Sequence, residues 1–273
     1  MHELISVRMS GNIAATVKLF TDDAELSYNG RVGMFPAGHW QGSQALGEHL
    51  RRTDIEYEPL DFEVRDVVVE GDRTAVRWTS HWRRRATGEV YCMDMAHFLR
   101  WRNDRIAEMH EFLDHHAPSR MADEPQKSFE DMLNPPHPGL SREEMARRMK
   151  ALGSFSRQGP DIKLFRSYYA PDVVCEFVGD RRSIAYAGRH RGIEALLSVV
   201  RSVAVDFEQV SCATPDMVID GGSVATRRTV EWRHHGTGRR GIVEVADFVR
   251  FEEGKIVELV EFRDSVALLQ MQD

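Results

Sequence analysis

Cysteine is scarce in this sequence, and the few cysteines have no functional spacing. The 273 residues include three, Cys92, Cys175 and Cys212, which lie far apart in the chain. None belongs to a C-x-x-C pair of the kind that binds zinc or performs thiol exchange. The sequence therefore predicts buried free thiols rather than disulfides or a redox site.

Long apolar runs are also missing, and so is an excess of positive charge. No stretch reaches the ~18 apolar residues that identify a membrane-spanning helix, and the first residues lack the basic and apolar segments of a secretory signal. The 36 basic and 43 acidic residues give a net charge of -7, which offers no attraction to nucleic acid. We therefore expect a cytoplasmic protein that binds neither membranes nor nucleic acid.

The common cofactor and nucleophile motifs are absent as well. No G-x-G-x-x-G follows a predicted strand, and no G-x-S-x-G elbow occurs. The group His110, Asp114, His115 and His116 lacks the helical spacing of zinc ligands, and adjacent residues of a strand point to opposite faces. We therefore expect neither a cofactor nor a bound metal.

What the sequence does contain is an internal repeat. Residues 71–114 align without a gap with residues 221–264, so that "WRNDRIAEMHEFLD" lies over "FEEGKIVELVEFRD". Roughly a third of these positions are identical, among them Glu111 with Glu261. A repeat of this length predicts two homologous domains, and the proline-rich, charged segment between them suits a linker. The predicted order is domain 1 at 1–118, a linker at 119–138 and domain 2 at 139–273.

Each copy has the same predicted order of elements. Helical segments come first, a short strand follows, a helix opened by Gly42 or Gly192 comes next, and alternating strands end the copy. Turn signals such as Asn103-Asp104 separate the last strands, as in an antiparallel meander. Helices followed by strands predict an α+β fold with a mostly antiparallel sheet packed on helices.

These features carry a family resemblance. The early pattern "LF-DDA", the glycine-led helix and the closing pattern "F-R-(E)-GKI-E---F-D" resemble the SnoaL-like branch of the nuclear transport factor 2-like (NTF2-like) superfamily, in both halves of the chain. The resemblance implies two cone-shaped domains, each a curved sheet around helices with a deep apolar pocket for a small molecule. It also implies pairing of sheets, either as an internal pseudo-dimer of one monomer or as a homodimer.

A residue-by-residue comparison shows that the catalytic residues of two known enzyme classes are missing here, whereas the acid of the closing strand is present in both copies. The aspartate base of ketosteroid isomerases falls on Tyr28 and on Phe177. The middle-strand arginine and aspartate of limonene epoxide hydrolases fall on Arg73 with Ala75 and on Ser223 with Ala225. The acid of the closing strand falls on Glu111 and Glu261. An acid that points into such a cone is a candidate proton carrier, because burial raises the pKa of a carboxyl group.

Strand alternation, taken with the resemblance, predicts the residues of the first pocket. If Glu111 points inward, His97 of the neighbouring strand can meet it and form an acid/base pair. Asp114 and His81 are further catalytic candidates. The candidate substrate-binding and donor residues are Trp40, Trp78, Arg77, Thr79, Met95 and Met109. The tryptophans suit an aromatic or polycyclic ligand.

The second copy offers different chemistry at the matching positions. Asp247 is expected beside Glu261, with Arg227 and Arg263 near, and Asp264 follows the strand. Two close carboxylates share a proton when buried, but an arginine beside them suppresses that sharing. We therefore prefer the first copy as the active one and interpret the second as a degenerate or structural partner.

Structural roles are open alternatives at these positions. Arg77 and its counterpart Arg227 can form buried ion pairs with the two glutamates, which would leave those acids unreactive. Asp114 and Asp264 can cap the ends of their strands or bind backbone amides, and His97 can be satisfied by a neighbouring hydroxyl or backbone group.

The sequence favours a cofactor-independent acid/base enzyme of the isomerase, cyclase, dehydratase or lyase type. Its substrate would be a hydrophobic small molecule bound in the domain 1 pocket, with Glu111 and His97 as proton carriers. The alternative is a non-catalytic module of the same fold that binds a small molecule or mediates an interaction.

Overall fold

The structure, a computed structural model, describes residues 2–29, 38–113, 127–134, 136–153 and 160–273. The chain forms two compact units, Met1–Ser128 and Phe129–Asp273. Asp114, residues 119–126 and residue 135 of the predicted linker lie outside the described residues. The domain boundaries and the pairing of the sheets stay predictions.

The first unit has an α+β architecture. Its helices are His2–Met9 (α1), Ile13–Lys18 (α2) and Ser43–Glu56 (α3). Its strands are Phe20–Tyr28 (β1), Gly38–Gln41 (β2), Tyr57–Glu70 (β3), Arg73–Arg84 (β4), Val90–Arg102 (β5) and Arg105–Leu113 (β6).

The second unit repeats this order and adds helices at both ends. Its helices are Phe129–Leu133 (α4), Arg142–Leu152 (α5), Ile162–Tyr168 (α6), Ile193–Asp206 (α7) and Ser265–Gln272 (α8). Its strands are Tyr169–Phe177 (β7), Gly188–Arg191 (β8), Phe207–Asp220 (β9), Ser223–His234 (β10), Arg240–Glu252 (β11) and Lys255–Arg263 (β12). The short helix α4 lies inside the segment that the sequence predicted as a linker.

Each unit contains one six-stranded mixed sheet with the same strand order. The orders are β2-β1-β6-β5-β4-β3 and β8-β7-β12-β11-β10-β9. The first strand of each unit pairs in parallel with the last, and the other neighbours are antiparallel. The predicted meander is therefore correct, and the two α+β domains are confirmed.

Two kinds of backbone position set the shape of each sheet. Asn103 and Asp104 have φ values of 51° and 60°, which is the conformation of a tight two-residue hairpin turn. Gly42 and Gly192 precede the long helices with φ values of 85° and 87°, a region that favours glycine. The hairpin and helix starts expected from the sequence are therefore present.

The long helix of each unit packs its apolar side on the sheet. In the first unit, Leu46 and Leu50 of α3 are buried in a cluster with Phe20 and Leu26 of β1. In the second unit, Leu196 of α7 belongs to the equivalent cluster. Each buried leucine contributes about 2 kcal/mol to folding. The helix thereby covers one face of the sheet, the face that carries the candidate site.

Candidate functional sites inside the two units

An acid/base pair lies on the helix-covered face of the first sheet. His97 of β5 and Glu111 of β6 are directly opposite in the antiparallel ladder. Nε2 of His97 lies 2.8 Å from Oε2 of Glu111. The side chains are 6% and 12% exposed, so little water competes for this hydrogen bond. The predicted contact between these two residues is present.

Two nitrogen atoms of this site have no hydrogen-bond partner among the described residues. They are Nδ1 of His97 and Nε1 of Trp78, and both atoms are buried. The two rings meet edge to face with centroids 5.4 Å apart. Buried polar atoms are normally satisfied, so these two nitrogens are groups of the site that are left available for a further hydrogen bond.

An aromatic cluster flanks the glutamate on its other side. Tyr28 of β1 is the register partner of Glu111, and its ring contacts those of Trp40 and His49 at 5.1 and 4.6 Å. Burial, followed by the negative charge of Glu111, raises the pKa of Tyr28 well above its ordinary value. The Tyr28 phenol therefore stays protonated at neutral pH.

His49 is the titratable group that α3 contributes to this cluster. Burial lowers its pKa to about 4, against a smaller opposing effect of Glu111. The imidazole is 3% exposed and lies 4.2 Å from the Trp40 ring, measured between centroids. His49 is therefore neutral at physiological pH, and it was not identified from the sequence.

The predicted methionines lie on the same face as the acid/base pair. Met95 is opposite Leu113 and Met109 is opposite Leu99, and both methionines are buried. Each is two residues from His97 or Glu111, so strand alternation gives them the same direction. They provide a flexible apolar surround for the polar pair.

Three predicted site residues lie on the opposite face of this sheet, which corrects the expectation that they meet His97. They are Arg77, Thr79 and His81, at the odd positions of β4, whereas Val76 is the residue opposite His97. Their partners are Asp66 at 2.6 Å, Asp94 at 2.8 Å and Asp61 at 2.6 Å, respectively. Arg77 is therefore not a partner of Glu111, and the proposed buried pair between them is wrong.

The second unit contains a cavity on the equivalent face of its sheet. Its volume is about 80 Å³, and its wall is mainly apolar, with side chains such as Phe165, Phe177 and Leu196. Four charged residues complete the wall: Arg228, Asp247, Glu261 and Arg263. The cavity is therefore apolar with one charged side.

The charged side is a closed set of ion pairs. Arg228 binds Asp247 through two hydrogen bonds of 2.7 and 2.9 Å and reaches Glu261 at 3.2 Å. Thr226 donates to Asp247 at 2.7 Å, and Arg263 binds Glu261. Burial alone would lower the pKa of Arg228, but the charge and hydrogen bonds of Asp247 outweigh it and raise that pKa. Asp247 and Glu261 are thus held by guanidinium groups.

Arg227 and Asp264 do not belong to this set, contrary to expectation. Arg227 points to the opposite face, since it pairs with Ala246 in the ladder, and its nearest acids are Asp216 at 3.8 Å and Glu244 at 3.7 Å. Asp264 is the N-cap of α8 and accepts a hydrogen bond of 3.0 Å from the Ala267 amide. The alternative interpretation of Asp264 as a cap is therefore the correct one.

The two units have matching side-chain pairs on the outer faces of their sheets but different residues on the helix-covered faces. The outward pairs Arg77 with Asp66 and Thr79 with Asp94 recur as Arg227 with Asp216 and Thr229 with Glu244. The inward residues differ: Trp78, His97 and Leu113 are replaced by Arg228, Asp247 and Arg263. Both units keep a glutamate on the helix-covered face, Glu111 in the first unit and Glu261 in the second. The two interiors have therefore acquired different chemistry.

Arg228 was not predicted as a site residue, because the sequence analysis selected its neighbour Arg227 instead. The gapless repeat drew attention to Arg227 because it aligns with Arg77. The signal that could have found Arg228 is its place two residues from Thr226 and Val230, on the same alternating row.

Cys175 is buried as predicted, whereas Cys92 and Cys212 are only partly buried.

Two further features bear on the expected partners. Within the described ranges, no group of three histidine, cysteine, aspartate or glutamate side chains is arranged to hold a metal ion. The helices of those same ranges are all too short or too polar to cross a membrane.

Comparisons with known proteins agree with the repeat. The family model described as SnoaL-like domain matches residues 2–109 and, a second time, residues 155–259. No curated protein matches the chain. A solved NTF2-like protein of unknown function from Burkholderia pseudomallei is 18% identical over 48% of this chain and 98% of its own, with a TM-score of 0.43. An NTF2-like protein from Burkholderia xenovorans is 21% identical over 49% and 98%, with a TM-score of 0.40.

Proposed function

Since this chain belongs to the SnoaL-like domain family, with one match in each unit, we propose that its first unit is a cofactor-independent acid/base enzyme. The substrate class is a hydrophobic small molecule with a carbonyl group, and the reaction is proton transfer at the carbon beside that carbonyl. Such a step occurs in enzymes of the isomerase, cyclase, dehydratase and lyase types.

The observation that carries this proposal is the contact between His97 and Glu111. A carboxylate accepts hydrogen bonds, so Nε2 of the imidazole carries the proton that lies between them. Nδ1 then holds the free electron pair and acts as the base. Glu111 orients the ring and stabilises the positive charge that appears on it when Nδ1 takes a proton.

Trp78 supplies the complementary donor. Its buried N–H lacks a partner among the described residues, and its ring adjoins that of His97. A carbonyl oxygen that accepts this N–H would place the neighbouring C–H bond beside the imidazole. A preorganised donor aimed at an oxygen that gains negative charge is a large source of rate enhancement.

The chemical step balances with these groups alone. Nδ1 of His97 takes the α-proton, the electrons of that C–H bond form a carbon–carbon double bond, and the carbonyl electrons move to the oxygen. The resulting enolate is stabilised by the Trp78 N–H. Return of the proton from His97 to another carbon gives an isomer, and loss of a leaving group from the enolate gives an elimination product.

Hydrogen–deuterium exchange at the α-carbon tests this step without knowledge of the natural substrate. The full chain is incubated in D₂O with 2-tetralone, a two-ring ketone, and loss of the α-proton signal is followed by NMR. We expect exchange above the buffer rate for the wild type. His97→Gln should lower the catalysed rate at least about 100-fold, in line with the usual contribution of a general base.

Glu108→Gln is the matched control for a Glu111→Gln variant. Glu108 lies on the same strand, but its side chain is 41% exposed and pairs with Arg100 on the surface. Only the change at 111 should slow exchange. Exchange at the buffer rate in the wild type, or full exchange in His97→Gln, would refute the enzyme assignment. Binding of 2-tetralone without exchange would instead identify a non-catalytic binding module.

A further inference from the structure

The outer face of the first sheet, opposite to the face that carries His97 and Glu111, has a thiol, an imidazole and a carboxylate in one row. Cys92 of β5 is the register partner of His81 of β4, and His81 is the register partner of Asp61 of β3. We propose that Cys92 is a reactive thiol, which His81 and Asp61 activate for exchange with small, uncharged disulfides. The site uses neither His97 nor Glu111, so it is independent of the proposed acid/base enzyme.

The register brings the three side chains together on one face. Directly opposite residues of antiparallel strands have Cβ atoms about 5 Å apart and point the same way. Since β4 lies between β3 and β5, the His81 ring has Asp61 on one side and Cys92 on the other. Nδ1 of His81 lies 2.6 Å from Oδ1 of Asp61. A carboxylate accepts hydrogen bonds, so Nδ1 carries the proton and Nε2 keeps the free electron pair that takes a proton from the thiol.

Solvent reaches this row of side chains. The side chains of His81 and Asp61 are 38% and 67% exposed, and Cys92 is half-buried. Val90 is two residues from Cys92, so it lies on the same face, and it is 50% exposed. A dissolved reagent can therefore reach the thiol, and the apolar side chain of Val90 favours an uncharged reagent.

The other charged side chains beside the row are held by partners of their own. These contacts are Arg83 with Glu58 at 3.0 Å, Thr79 with Asp94 at 2.8 Å, and Arg65 with Glu63 at 2.7 Å. Each of these acids is neutralised or hydrogen-bonded, and the arginines stay protonated at all ordinary pH values. Among these described neighbours, the imidazole of His81 is the group that can act as a base for Cys92.

The other two thiols of the chain are in settings that keep them protonated. Cys175 also has a histidine across the ladder, His190, but it is 1% exposed, and burial raises its pKa to about 12. Burial likewise raises the pKa of Cys212. The thiolate and not the thiol is the nucleophile, so Cys92 should be the fastest of the three cysteines near neutral pH.

The repeat shows that the fold does not require this row. The equivalent row of the second sheet consists of Ser211, Glu231 and Ile242. The sheet thus forms with a different set of side chains at the same three positions. Substitutions in the row of the first unit should therefore keep the fold and change reactivity alone.

The chemical step balances with a disulfide as the co-reactant. Nε2 of His81 takes the thiol proton, and the Cys92 thiolate attacks one sulfur of the disulfide. A new S–S bond forms between Cys92 and that sulfur, and the S–S bond of the reagent breaks. The other half of the reagent leaves as a thiolate and takes the proton from His81. Cys92 is thereby oxidised to a mixed disulfide, and one half of the reagent is reduced to a thiol.

4,4′-Dithiodipyridine, an uncharged disulfide, tests this site in the full chain. The absorbance of the released 4-thiopyridone gives the rate of each reacting thiol, and mass spectrometry of peptides identifies the modified cysteine. At about pH 6.5, one thiol should react at least about tenfold faster than the others. Cys92→Ser should remove this fast phase. Cys212→Ser, the matched change at the other half-buried cysteine, should keep it.

The pH profile separates activation by His81 from simple exposure of the thiol. At about pH 6.5, His81→Gln should lower the rate constant of Cys92 about tenfold, because the thiol loses the base that takes its proton. At about pH 9.5, solvent deprotonates an ordinary thiol, so the variant and the wild type should react alike. His39→Gln is the control, because His39 is an exposed histidine on β2 at the other edge of the sheet. It should change neither rate.

Four results would overturn the assignment. They are the absence of a fast phase, a fast phase that survives Cys92→Ser, a wild-type rate in His81→Gln at the lower pH, and an equal loss of rate in that variant at both pH values. The last result would mean that His81 only maintains the local structure. None of these measurements involves 2-tetralone or α-proton exchange, so failure of this site is distinguishable from failure of the proposed enzyme.

Discussion

Arg77 and Trp78 are consecutive residues of β4, and their side chains lie on opposite faces of the first sheet. Arg77 binds Asp66, and Lys127 binds the other oxygen of that carboxylate at 2.7 Å. Trp78 contacts the ring of His97 on the inner face. Substitutions at these two neighbours should therefore have separable effects, one on stability and one on the site.

Replacement of Arg77 should destabilise the protein. Arg77→Met keeps the aliphatic stem but removes the guanidinium that binds Asp66 and leaves the carboxylate with Lys127, and the loss of a buried partner typically costs about 3 kcal/mol. Arg77 is 1% exposed, whereas Arg83 on the same strand is 45% exposed and pairs with Glu58. Arg83→Met should therefore change the free energy of unfolding by less than about 1 kcal/mol. Urea unfolding of both variants checks the difference, and equal effects would contradict it.

Removal of the Trp78 donor should slow proton exchange. Trp78→Phe keeps an aromatic ring beside His97 but deletes the N–H, and loss of one such donor costs about 100-fold in rate. Trp101→Phe is the control, because its N–H is already bound to Thr74 at 3.0 Å. The α-exchange assay with 2-tetralone compares the two variants. An undiminished kcat for Trp78→Phe would remove this indole from the mechanism.

His49 should make the stability of the first unit depend on pH. Its pKa is lowered to about 4 in the folded chain, against about 6.5 when unfolded. The unfolded chain therefore binds more protons between these values, so stability is full above about pH 6.5 and falls as the pH drops towards 4. Between pH 7.5 and pH 5 this group alone removes about 2 kcal/mol from the free energy of unfolding.

Paired variants isolate that contribution. His49→Gln should flatten the pH dependence by about 2 kcal/mol, while His39→Gln should not, because His39 is exposed. Urea unfolding followed by tryptophan fluorescence suits this comparison, since Trp40, Trp78, Trp82 and Trp101 all belong to the first unit. An unchanged slope in His49→Gln would show that other groups cause the pH dependence.

The strand faces show where sequence reasoning succeeds and where it fails. On β6 the register with β5 is set by the Asn103-Asp104 turn, so a single assumption about Glu111 also placed His97 correctly. On β4 every residue from 74 to 80 is buried. Alternation of polarity therefore carries no information about which face is inner, and Arg77 was assigned to the wrong one.

The second site shows the same limit in another form. The gapless repeat correctly aligned Glu111 with Glu261, but it also transferred the error at Arg77 to Arg227. Arg228 aligns with Trp78, and no pairwise similarity connects a tryptophan with an arginine. The fold could be predicted because turns and helix starts are local signals, whereas the contents of the two interiors depend on a register that only the assembled sheet defines.

Asp264 should act on helix α8 rather than on chemistry. Its carboxylate accepts from the Ala267 amide, and replacement of such an N-cap by alanine costs about 1 kcal/mol. Leu268 and Met271 of α8 are buried in a cluster with Trp232, and Leu268 lines the cavity. Asp264→Ala should therefore speed amide hydrogen exchange across Ser265–Gln272 about fivefold and loosen one wall of the cavity.

Asp264→Asn, which keeps a capping oxygen, should exchange like the wild type. Equal exchange in the alanine variant and the wild type would mean that packing alone holds α8, because the cap would then contribute nothing measurable.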